Sequence, residues 1–451
     1  MSEVIRIKKG LDINLKGKAQ EVSAKAEASD LFSVRPDDFH GIKPKVVVHE
    51  GDAVKVGTVL FYSKTNPELK FVSPVSGEVL AVNRGDKRKV LDIRLKSDRQ
   101  FTSESFPKGR PSEMTPENVK ETLLNAGFFA FIKQRPYDVI ADPNDCPKAI
   151  FISGFDSAPL APNYEYLLVG REEDFQLGID ALAKLTKGKI HVGINAEVSS
   201  NLYTHTKGVE IHQFLGPHPA GNVGVQIHHI DPINKGDIVW TINALDVAMI
   251  GAAFKTGQIS FARSIVLNGA SVKNPAYYKM TVGECISNIV ANNIVGDNVR
   301  YISGNPLTGT QIPADGFLGA FDAQITVIPE GDKNDEMLGW IMPRLNKFSV
   351  SRSYFSWLLG RKKEYNIDTN LNGGQRAFIM SGEYDKVFPM DIYPEFLVKA
   401  IIAKDIDKME QLGIYEVAPE DFALCEFVCT SKIETQRIVR EGLDYLRKEL
   451  A

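Results

Sequence analysis

The side chains best suited to binding a ligand lie between residues 125 and 159, which read NAGFFAFIKQRPYDVIADPNDCPKAIFISGFDSAP. The loop in this stretch is aromatic and basic, and its candidate residues are Phe129, Phe131, Lys133, Arg135 and Tyr137. Aromatic faces can hold a planar ring, and cationic donors can bond to the oxygens of such a ring. Alternatively, the aromatic residues fill the protein interior and the cations face solvent or a neighbouring subunit.

Cysteine ligands for a metal centre are few. The chain has Cys146, Cys285, Cys425 and Cys429, and only the last two are close in sequence. At this spacing Cys425 and Cys429 would share a helix face with Phe422. An iron-sulfur cluster or a structural zinc needs about four ligands at close spacing. We therefore predict two small buried core residues; the alternative is a metal site shared between subunits.

The histidines show no metal-binding spacing such as H-E-x-x-H. His191, His228 and His229 lie in or beside predicted strands, and His212 and His218 flank a glycine-rich loop. These residues are predicted to be structural. The sequence therefore predicts neither catalytic residues nor a metal site in this chain.

The central stretch should be positioned by an α/β domain covering residues 102–256. Lys148–Ser153 is an apolar run that ends at Gly154, which is typical of a buried parallel strand. A helical pattern and then a second strand follow it, which predicts a parallel crossover. The elements predicted after the central strand are helix 174–186, strands 190–194, 209–214 and 237–242, and helix 243–254.

Residues 1–101 are predicted to form a small β-barrel. Valines alternate around Gly-Asp turns in KVVVHEGDAVKVGTVLF, and SPVSGEVLAV and VLDIRL repeat this pattern. These motifs resemble the biotinyl/lipoyl barrel-sandwich family, whose carrier members present a modified lysine on a hairpin. Lys64 is near that position, but its flanking sequence YSKTNPELK differs from the family's. A solvated lysine is favoured over a biotinyl or lipoyl attachment point.

The second half of the chain is predicted to contain two further domains. Asn268-Gly269 after strand 263–267 indicates a hairpin, and Thr281-Val282-Gly283-Glu284 resembles a helix capping box. With strands 299–302 and 323–328, these elements predict a β-grasp domain over residues 257–330. The polar run 329–336 then precedes a helical domain over residues 331–451, which closes with the amphipathic helix 434–450.

The bulk composition excludes several classes of protein. The 451 residues are 43% hydrophobic and 24% charged, as in ordinary soluble multidomain proteins. A net charge of -4 with well-mixed signs gives no basic field for nucleic acid. No apolar run approaches the roughly 18–20 residues that span a bilayer, and the start lacks a signal-peptide core. A cytosolic location is expected unless a partner tethers the chain.

Over essentially its whole length the chain resembles the A subunit family of the bacterial Na⁺-translocating NADH:quinone oxidoreductase. The motifs that carry the resemblance are IKKGLDINLKGKA, AGFFAFIKQRPYDVIADP, GPHPAGNVGVQIHHIDPINKGD, MDIYPEFLVKAIIAKD and ALCEFVC. The resemblance implies a peripheral subunit on the cytoplasmic face of the bacterial inner membrane. It also implies the other subunits of the complex, above all its membrane subunits, as partners, and ubiquinone or menaquinone as the electron acceptor.

The layout resembles more distantly the C subunit of the Rnf complex and the NADH-binding flavoprotein subunit of complex I. These relatives share a loop that reads G-R-G-G-A-G-F-P. In the complex I subunit this loop binds FMN. The matching residues here are 124–133, where bulky Phe129 and Phe131 replace small residues. In GPHPAGNVG, residues 216–224, Asn222 and Val223 replace the paired glutamates of the relatives' loop near the nicotinamide site. That loop is predicted to be a tight glycine turn between strands.

The sequence thus predicts a multidomain α/β and α+β chain. Its parts are a barrel-sandwich domain, a Rossmann-like α/β domain, a β-grasp (SLBB-like) domain and a helical C-terminal domain. As the resemblance implies, we expect a subunit without flavin or iron-sulfur centres that contributes to quinone reduction or to assembly. A quinone ring would occupy the loop of Phe129, Phe131, Lys133, Arg135 and Tyr137. The alternatives are an NADH:flavin dehydrogenase subunit that binds FMN and a purely structural assembly module.

Overall fold

The computed structural model describes residues 4–198, 201–331, 342–360 and 362–450. Of the polar run predicted to separate the last two domains, residues 332–336 lie outside the described residues. The described residues form mostly short strands and short helices.

In chain order the strands are β1 Val4–Arg6, β2 Leu31–Val34, β3 Pro44–Val46, β4 Ala53–Val54, β5 Val59–Ser63, β6 Lys70–Val72, β7 Gly77–Arg84, β8 Val90–Ser97, β9 Lys133–Arg135, β10 Val139–Ile140, β11 Ala149–Ser153, β12 Lys189–Asn195, β13 Glu210–Leu215, β14 Val239–Asn243, β15 Ala262–Asn268, β16 Ala276–Thr281, β17 Val299–Ser303, β18 Thr310–Ile312 and β19 Gln324–Pro329. The α-helices are α1 Pro116–Asn125, α2 Tyr164–Leu168, α3 Glu172–Leu182, α4 Asn201–Thr204, α5 Val223–Ile230, α6 Ala244–Thr256, α7 Ser287–Val290, α8 Tyr384–Val387, α9 Pro394–Ala403, α10 Ile406–Gln411, α11 Ala423–Val428 and α12 Thr435–Leu450. Short 3-10 helices cover Pro36–Asp38, Asp86–Arg88, Pro111–Glu113, Phe128–Phe131, Phe355–Leu359 and Pro419–Phe422.

The α/β region is organised around a sheet with the strand order β1-β13-β12-β11-β14-β9-β10. The strands from β1 to β14 in that order run parallel, and β9 and β10 are antiparallel additions. Residues 149–152 of β11 are buried because both faces of the sheet are covered. The predicted parallel crossover from β11 through α3 to β12 is confirmed.

The barrel-sandwich region is formed by two small sheets with the orders β2-β8-β7-β4 and β3-β5-β6. Its interior is filled by apolar side chains, including the rings of Phe61 and Phe71, which stack with centroids 4.6 Å apart. The predicted barrel is therefore confirmed. Lys64 is exposed at the end of β5, and its backbone N–H donates to the carbonyl of Lys43.

The β-grasp region has the strand order β16-β15-β19-β17-β18. The hairpin predicted at Asn268-Gly269 is present, with residues 269–275 joining antiparallel β15 and β16. The helix predicted to begin at Thr281 is wrong, since only Ser287–Val290 is helical there. The Glu284 carboxylate accepts from the backbone N–H groups of Thr281 and Ser29. It thus ties a strand end to the N-terminal segment and does not cap a helix.

The C-terminal region is helical and surrounds a core that includes Val439, Leu443 and Leu446 of α12. This amphipathic helix agrees with the predicted one, although Leu450 is exposed. Cys425 and Cys429 are buried in the same core, as predicted. The hydroxyl of Tyr384 lies 3.0 Å from the Cys429 Sγ.

The N-terminal segment connects three of these regions. Strand β1 pairs with β13 of the α/β sheet, so the range 1–101 includes a strand that lies outside the barrel. Further along, the N–H of Gly10 donates to the carbonyl of Lys386 in the helical region. The Gly17 carbonyl then accepts from the N–H of Gly269 in the β-grasp region. Residues 4–17 therefore form a strap across three regions.

Candidate functional site

The central loop joins α1 to β11 over residues 126–148. Near its start lies Gly127, which no other residue could replace without strain. Gly127 has φ +76°, and a Cβ added there would lie 2.6 Å from Val72 Cγ2. The following 3-10 turn carries Phe128, Phe129 and Phe131, which are 0%, 0% and 4% exposed. The loop is therefore wedged between the barrel and the α/β sheet, and its phenyl rings lie in the protein interior.

The structure separates the five predicted site residues. Phe131 and Lys133 lie together, since the Phe131 ring is 5.7 Å from the Phe321 ring and Lys133 Nζ is 4.6 Å from the same ring. Phe129 packs elsewhere, with its ring 5.4 Å from Trp240 in the α/β core. The predicted pocket is thus not formed by all five residues.

Arg135 and Tyr137 both turn toward the helical C-terminal region. Arg135 is 1% exposed, and its Nη1 donates to Asp421 Oδ2 and to the Glu416 carbonyl, both at 3.0 Å. Its Nη2 donates to Glu420 Oε1 at 2.9 Å. The Tyr137 ring lies 6.4 Å from the Tyr415 ring. We call Arg135, Glu420 and Asp421 the Arg135 cluster; it fastens the loop to the helical region.

The glycine-rich loop, residues 216–224, packs closely against the Arg135 cluster at Gly224. A Cβ on Gly224 would lie 2.6 Å from Arg135 Nη1 and 2.7 Å from Asp421 Oδ1. The prediction of a turn between strands is wrong, because the loop leads into helix α5, which contains His228 and His229. The sequence VGVQIHHI alternates apolar residues as a strand would, but packing against the sheet buries residues 224–227 as one helical turn.

Phe131 belongs to a larger group of aromatic side chains from three regions, which we call the aromatic junction. Its members are Phe39 and Phe71 of the barrel, Phe131 of the loop, and Phe261 and Phe321 of the β-grasp region. The rings of Phe39 and Phe71 are 4.6 Å apart, and that of Phe131 lies 5.9 Å from Phe261 and 6.4 Å from Phe39. The junction thus brings aromatic faces and edges from three regions into contact.

A small cavity lies inside the junction. Its volume is about 30 Å³, and its lining includes Phe39, Phe131, Phe261, Arg35 and Asp38. This is roughly the share of volume that one water takes in the liquid. Pockets for drug-sized ligands are about ten times larger or more. The junction therefore has no room for a ring-bearing ligand, which could enter only if the aromatic side chains move apart.

Arg263 gives the junction a buried cation. It is 5% exposed, its Cζ lies 5.7 Å from the Phe131 ring, and its Nη2 donates to Asp246 Oδ1 at 2.9 Å. Its Nε has no hydrogen-bond partner in the described part of the chain. Burial raises the pKa of Asp246, although Arg263 opposes this shift. Arg263 thus has an unbonded N–H donor close to the Phe131 ring. Its partner Asp246 is a carboxyl group that retains its proton more readily than an exposed one.

Most of these junction residues carry no local signal in the sequence. Phe39, the neighbouring Phe261 and Arg263, and Phe321 come from three separate stretches of the chain, and each looks like an ordinary core or strand residue when read locally. They come together only because three domains meet at the central loop. Long-range packing of this kind has no local sequence pattern.

Two of the predicted structural histidines have clear structural partners. His218 is 4% exposed, and burial lowers its pKa to about 4. Its Nδ1 lies 3.0 Å from the Ser157 Oγ. His228 Nδ1 lies 2.8 Å from Glu416 Oε2, and its Nε2 accepts from the Asp391 N–H. His191 and His212 differ, because they lie beside each other and beside a carboxylate.

The helical region carries an exposed apolar segment. Phe355, Trp357, Leu358 and Leu359 are 51%, 47%, 62% and 53% exposed within five consecutive positions. The sequence continues through Gly360 into Arg361, Lys362 and Lys363. Such a concentration of exposed apolar side chains is typical of interaction surfaces. Among the described residues, no helix has the length and apolar character needed to cross a membrane.

Comparison with protein families gives three matches in chain order. Residues 5–98 match the NqrA N-terminal barrel-sandwich hybrid domain. Residues 114–259 match the NqrA second alpha/beta domain, and residues 264–314 match the NQRA C-terminal domain.

Comparison with individual proteins extends these matches to the full length. The chain is similar to the A subunit of the Na(+)-translocating NADH-quinone reductase of Pasteurella multocida, with 36% identity over 99% of this chain and 100% of the relative. The corresponding A subunits of Histophilus somni and Haemophilus influenzae are each 37% identical with the same coverage. Among solved structures, an NAD+-reducing [NiFe]-hydrogenase covers 76% of this chain and 63% of its own at 13% identity, with a TM-score of 0.38, which is too low to support an argument.

Proposed function

Since this chain belongs to the family of A subunits of the Na(+)-translocating NADH-quinone reductase, an oxidoreductase complex, we propose that it works as a peripheral subunit of such a complex. Its place is the cytoplasmic face of the bacterial inner membrane, and its partners are the other subunits of the complex. The observation that carries this proposal is the similarity at 36–37% identity over 99% of the chain.

We propose further that the aromatic junction is the place where a quinone headgroup, of ubiquinone or menaquinone, meets this subunit. The rings of Phe131 and Phe261, 5.9 Å apart, supply the apolar faces. Lys133 and Arg263 supply the hydrogen-bond donors for the two quinone oxygens. Arg263 is the better placed of the two, because its buried Nε lacks a partner among the described residues.

Quinone reduction also requires protons. Two electrons and two protons convert a quinone to a quinol, and in this proposal the electrons come from other subunits. Burial raises the pKa of Asp246, and it does the same for Asp322 near the junction. Such carboxyl groups hold a proton closer to neutral pH than exposed ones do. They are our candidates for proton donors to the reduced ring.

The small volume of the junction cavity sets a condition on this proposal. A cavity of about 30 Å³ cannot hold a quinone ring, so binding requires Phe131 to move away from Phe261 and Phe321. These rings belong to different domains, and a small shift between the domains would open the space. Quinone binding should therefore be accompanied by a change in the domain contacts around residues 128–133.

The test is a titration of a short-chain soluble quinone against the purified full chain, followed by calorimetry. We expect the paired substitution Phe131→Leu with Lys133→Ala to weaken binding about tenfold or more, since it removes an aromatic face and a donor. The matched control is Phe129→Leu with Lys64→Ala, which changes the same residue types outside the junction. Equal affinity of the two paired variants would exclude the junction as the quinone site.

We propose that this chain carries neither flavin nor an iron-sulfur cluster of its own. Phe129 and Phe131 occupy the interior where a flavin-binding loop needs small residues. Cys425 and Cys429 are buried in the helical core beside Tyr384. Absence of flavin in the supernatant after denaturing the purified chain, and of iron in the protein, is the expected result. Stoichiometric flavin would favour the alternative of an FMN-binding dehydrogenase subunit.

A role in assembly is a second candidate, and the exposed segment 355–359 favours it. We propose that a membrane subunit of the complex covers this segment. Substituting Trp357→Ala with Leu358→Ser should release the chain from the complex during co-purification, while exposed Val169→Ser, at 74% exposure, should not. Retention of the double variant would exclude this surface. A complex that assembles without the chain yet cannot reduce quinone would show that assembly is not its only role.

A further inference from the structure

We propose that His191, Glu210 and His212 form a binding site for a divalent transition metal ion, with Zn²⁺ as the first choice. The sequence predicts no metal site in this chain, and this inference reverses that expectation. It is independent of the quinone proposal, because the three residues lie on β12 and β13 and are not part of the aromatic junction.

The distances between the donor atoms fit a small ion. His191 Nδ1 lies 3.0 Å from His212 Nε2 and 3.5 Å from Glu210 Oε2. One donor atom from each residue lies within 4.8 Å of the other two. In a tetrahedral site with bonds of about 2.0–2.1 Å, neighbouring donor atoms are roughly 3.3 Å apart. The three atoms can therefore contact one ion with only small side-chain movements.

The sheet register explains why the three side chains converge. Strands β12 and β13 are parallel neighbours, with His191 opposite Glu210 and Gly193 opposite His212. Residues two apart on a strand face the same side, so the three side chains share one face of the sheet. The Phe151 ring of the next strand stacks on His191 at 4.6 Å and holds the plane of that imidazole. The arrangement is therefore fixed by backbone pairing and packing.

The ligand set indicates both the kind of ion and the openness of the site. Two imidazoles and one carboxylate are ligands that suit zinc and similar divalent transition metals. Lys189 Nζ contacts Glu210 Oε1 at 2.6 Å, while the Glu210 atom nearest to His191 is Oε2. One carboxylate oxygen thus remains available to an ion. Glu210 is 44% exposed, which leaves room for water at a fourth position.

The location favours a structural role. Catalytic ligands in parallel sheets usually bind beyond the carboxyl ends of the strands. His191, Glu210 and His212 all lie in the amino-terminal halves of their strands. An ion held there would clip β12 to β13 near the start of both strands. The consequence is added stability of the α/β sheet, since an ion that binds only the folded state stabilises it.

The test uses the untagged full chain, stripped with a chelator, because a polyhistidine tag would bind the same ions. Zn²⁺ titration by calorimetry should show one ion per chain, and Co²⁺ should give visible absorption bands of a site with nitrogen and oxygen ligands. Thermal unfolding should shift upward with Zn²⁺ and return when the chelator is added.

Substitutions of the three proposed ligands test whether the ion binds at this cluster. His191→Gln with His212→Gln should abolish the Co²⁺ bands, and Glu210→Gln alone should weaken Zn²⁺ binding about tenfold or more. The control His205→Gln removes an exposed imidazole outside the cluster and should leave both signals intact. Zn²⁺ binding that is equal in the parent chain and the Glu210→Gln variant would overturn the proposal. So would a parent chain that binds no ion.

Discussion

Two buried arginine-aspartate pairs flank the central loop, and they differ in how fully they are bonded. The guanidinium of Arg135 donates to Asp421, Glu420 and a backbone carbonyl. Arg263 shares its buried site with Asp246 and the Phe131 ring, and Asp246 is the hydrogen-bond acceptor shown for it among the described residues. Both pairs are at most 5% exposed, so the difference does not arise from contact with water.

The difference distinguishes the Arg135 cluster, which fastens the loop to the helical region, from Arg263 on β15, which belongs to the site that we propose for a ligand. Desolvating a charged pair costs several kcal/mol per ion, which is recovered only when the remaining hydrogen-bonding capacity is used. Arg135 makes three hydrogen bonds through its two Nη atoms, although its Nε and Asp421 Oδ1 have no hydrogen-bond partner among the described residues. The Nε of Arg263 is unbonded among the described residues as well, but Arg263 bonds to one side chain, Asp246, and lies beside the Phe131 ring. The following predictions test this contrast.

The largest effect is expected for Arg135→Met. This change leaves Asp421 buried without its cation, which should lower the free energy of unfolding by about 3–5 kcal/mol. Arg263→Met should cost less, because the raised pKa of Asp246 allows this carboxyl to take up a proton and become neutral. Urea unfolding of both variants measures the two costs. A greater loss of unfolding free energy for Arg263→Met than for Arg135→Met would contradict the inference that Arg135 is the more important structural arginine.

The two phenylalanines of the loop should separate stability from binding. Phe129→Leu and Phe131→Leu each remove part of a buried ring and should each lower the free energy of unfolding by about 1–2 kcal/mol, below the roughly 3–5 of a change to alanine. Quinone affinity should fall only for Phe131→Leu, because Phe129 contacts Trp240 away from the junction. An affinity loss in both variants would indicate a general effect of loop packing.

The pH dependence of stability should reveal the protonated state of Asp246. Because its pKa is raised in the folded protein, the folded state retains a proton that an unfolded aspartic acid loses near about pH 3.9. The stabilisation from this group is complete below that pH and is lost as the pH rises through the folded pKa. Within that window, stability should fall by at most about 1.4 kcal/mol per pH unit.

The control for this prediction is Asp246→Asn, which cannot titrate. Urea unfolding across the acidic range should show the parent chain losing stability relative to this variant as the pH rises, because Asp246 titrates only in the parent chain. Identical pH profiles would show that Asp246 is ionised in the folded protein, and they would remove it from the candidate proton donors.

The smallest effect is expected inside the Arg135 cluster. The Glu420 side chain is 42% exposed, so water screens its pair with Arg135 more than it screens the pair of Arg135 with Asp421. Glu420→Gln should therefore change the urea midpoint little. Asp421→Asn should change it clearly more, since Asp421 is 1% exposed and also accepts from the Ala418 N–H. Equal shifts of the urea midpoint for Glu420→Gln and Asp421→Asn would mean that the burial of a partner does not determine how much it contributes to the Arg135 cluster.

Local patterns predicted those parts of the fold that depend on local forces. The apolar run 148–153, the helical pattern after it and the alternating valines of the barrel all lie where they were expected, because each is specified by a period of two or of about 3.6 residues. Predictions failed where a distant partner decides the structure. Glu284 looks like a capping residue in sequence, and its carboxylate does accept from the Thr281 N–H, but it also accepts from the distant Ser29 N–H and no helix begins at Thr281. The VGVQIHHI segment looks like a strand, but packing makes it helical.

The candidate site was predicted less well for the same reason. Sequence reasoning named Phe131 and Lys133 because aromatic and basic residues cluster along the loop, and the structure places both side chains near the Phe321 ring. It grouped Arg135 and Tyr137 with them, although β9 and the residues after it carry these side chains toward the helical region. It missed Arg263 and Asp246, because their significance depends on burial and on bonding partners. Neither property can be read from residue type.

The N-terminal strap implies that the molecule cannot be dissected at its domain boundaries. Strand β1 covers the outer edge of β13, and the residues after it bond to the helical and β-grasp regions. A fragment that begins with the α/β region would leave the β13 edge unpaired, and exposed strand edges promote aggregation. Expression trials that cut between the matched family segments should thus yield insoluble pieces, while the strap supplied as a separate peptide could restore solubility by adding the missing strand.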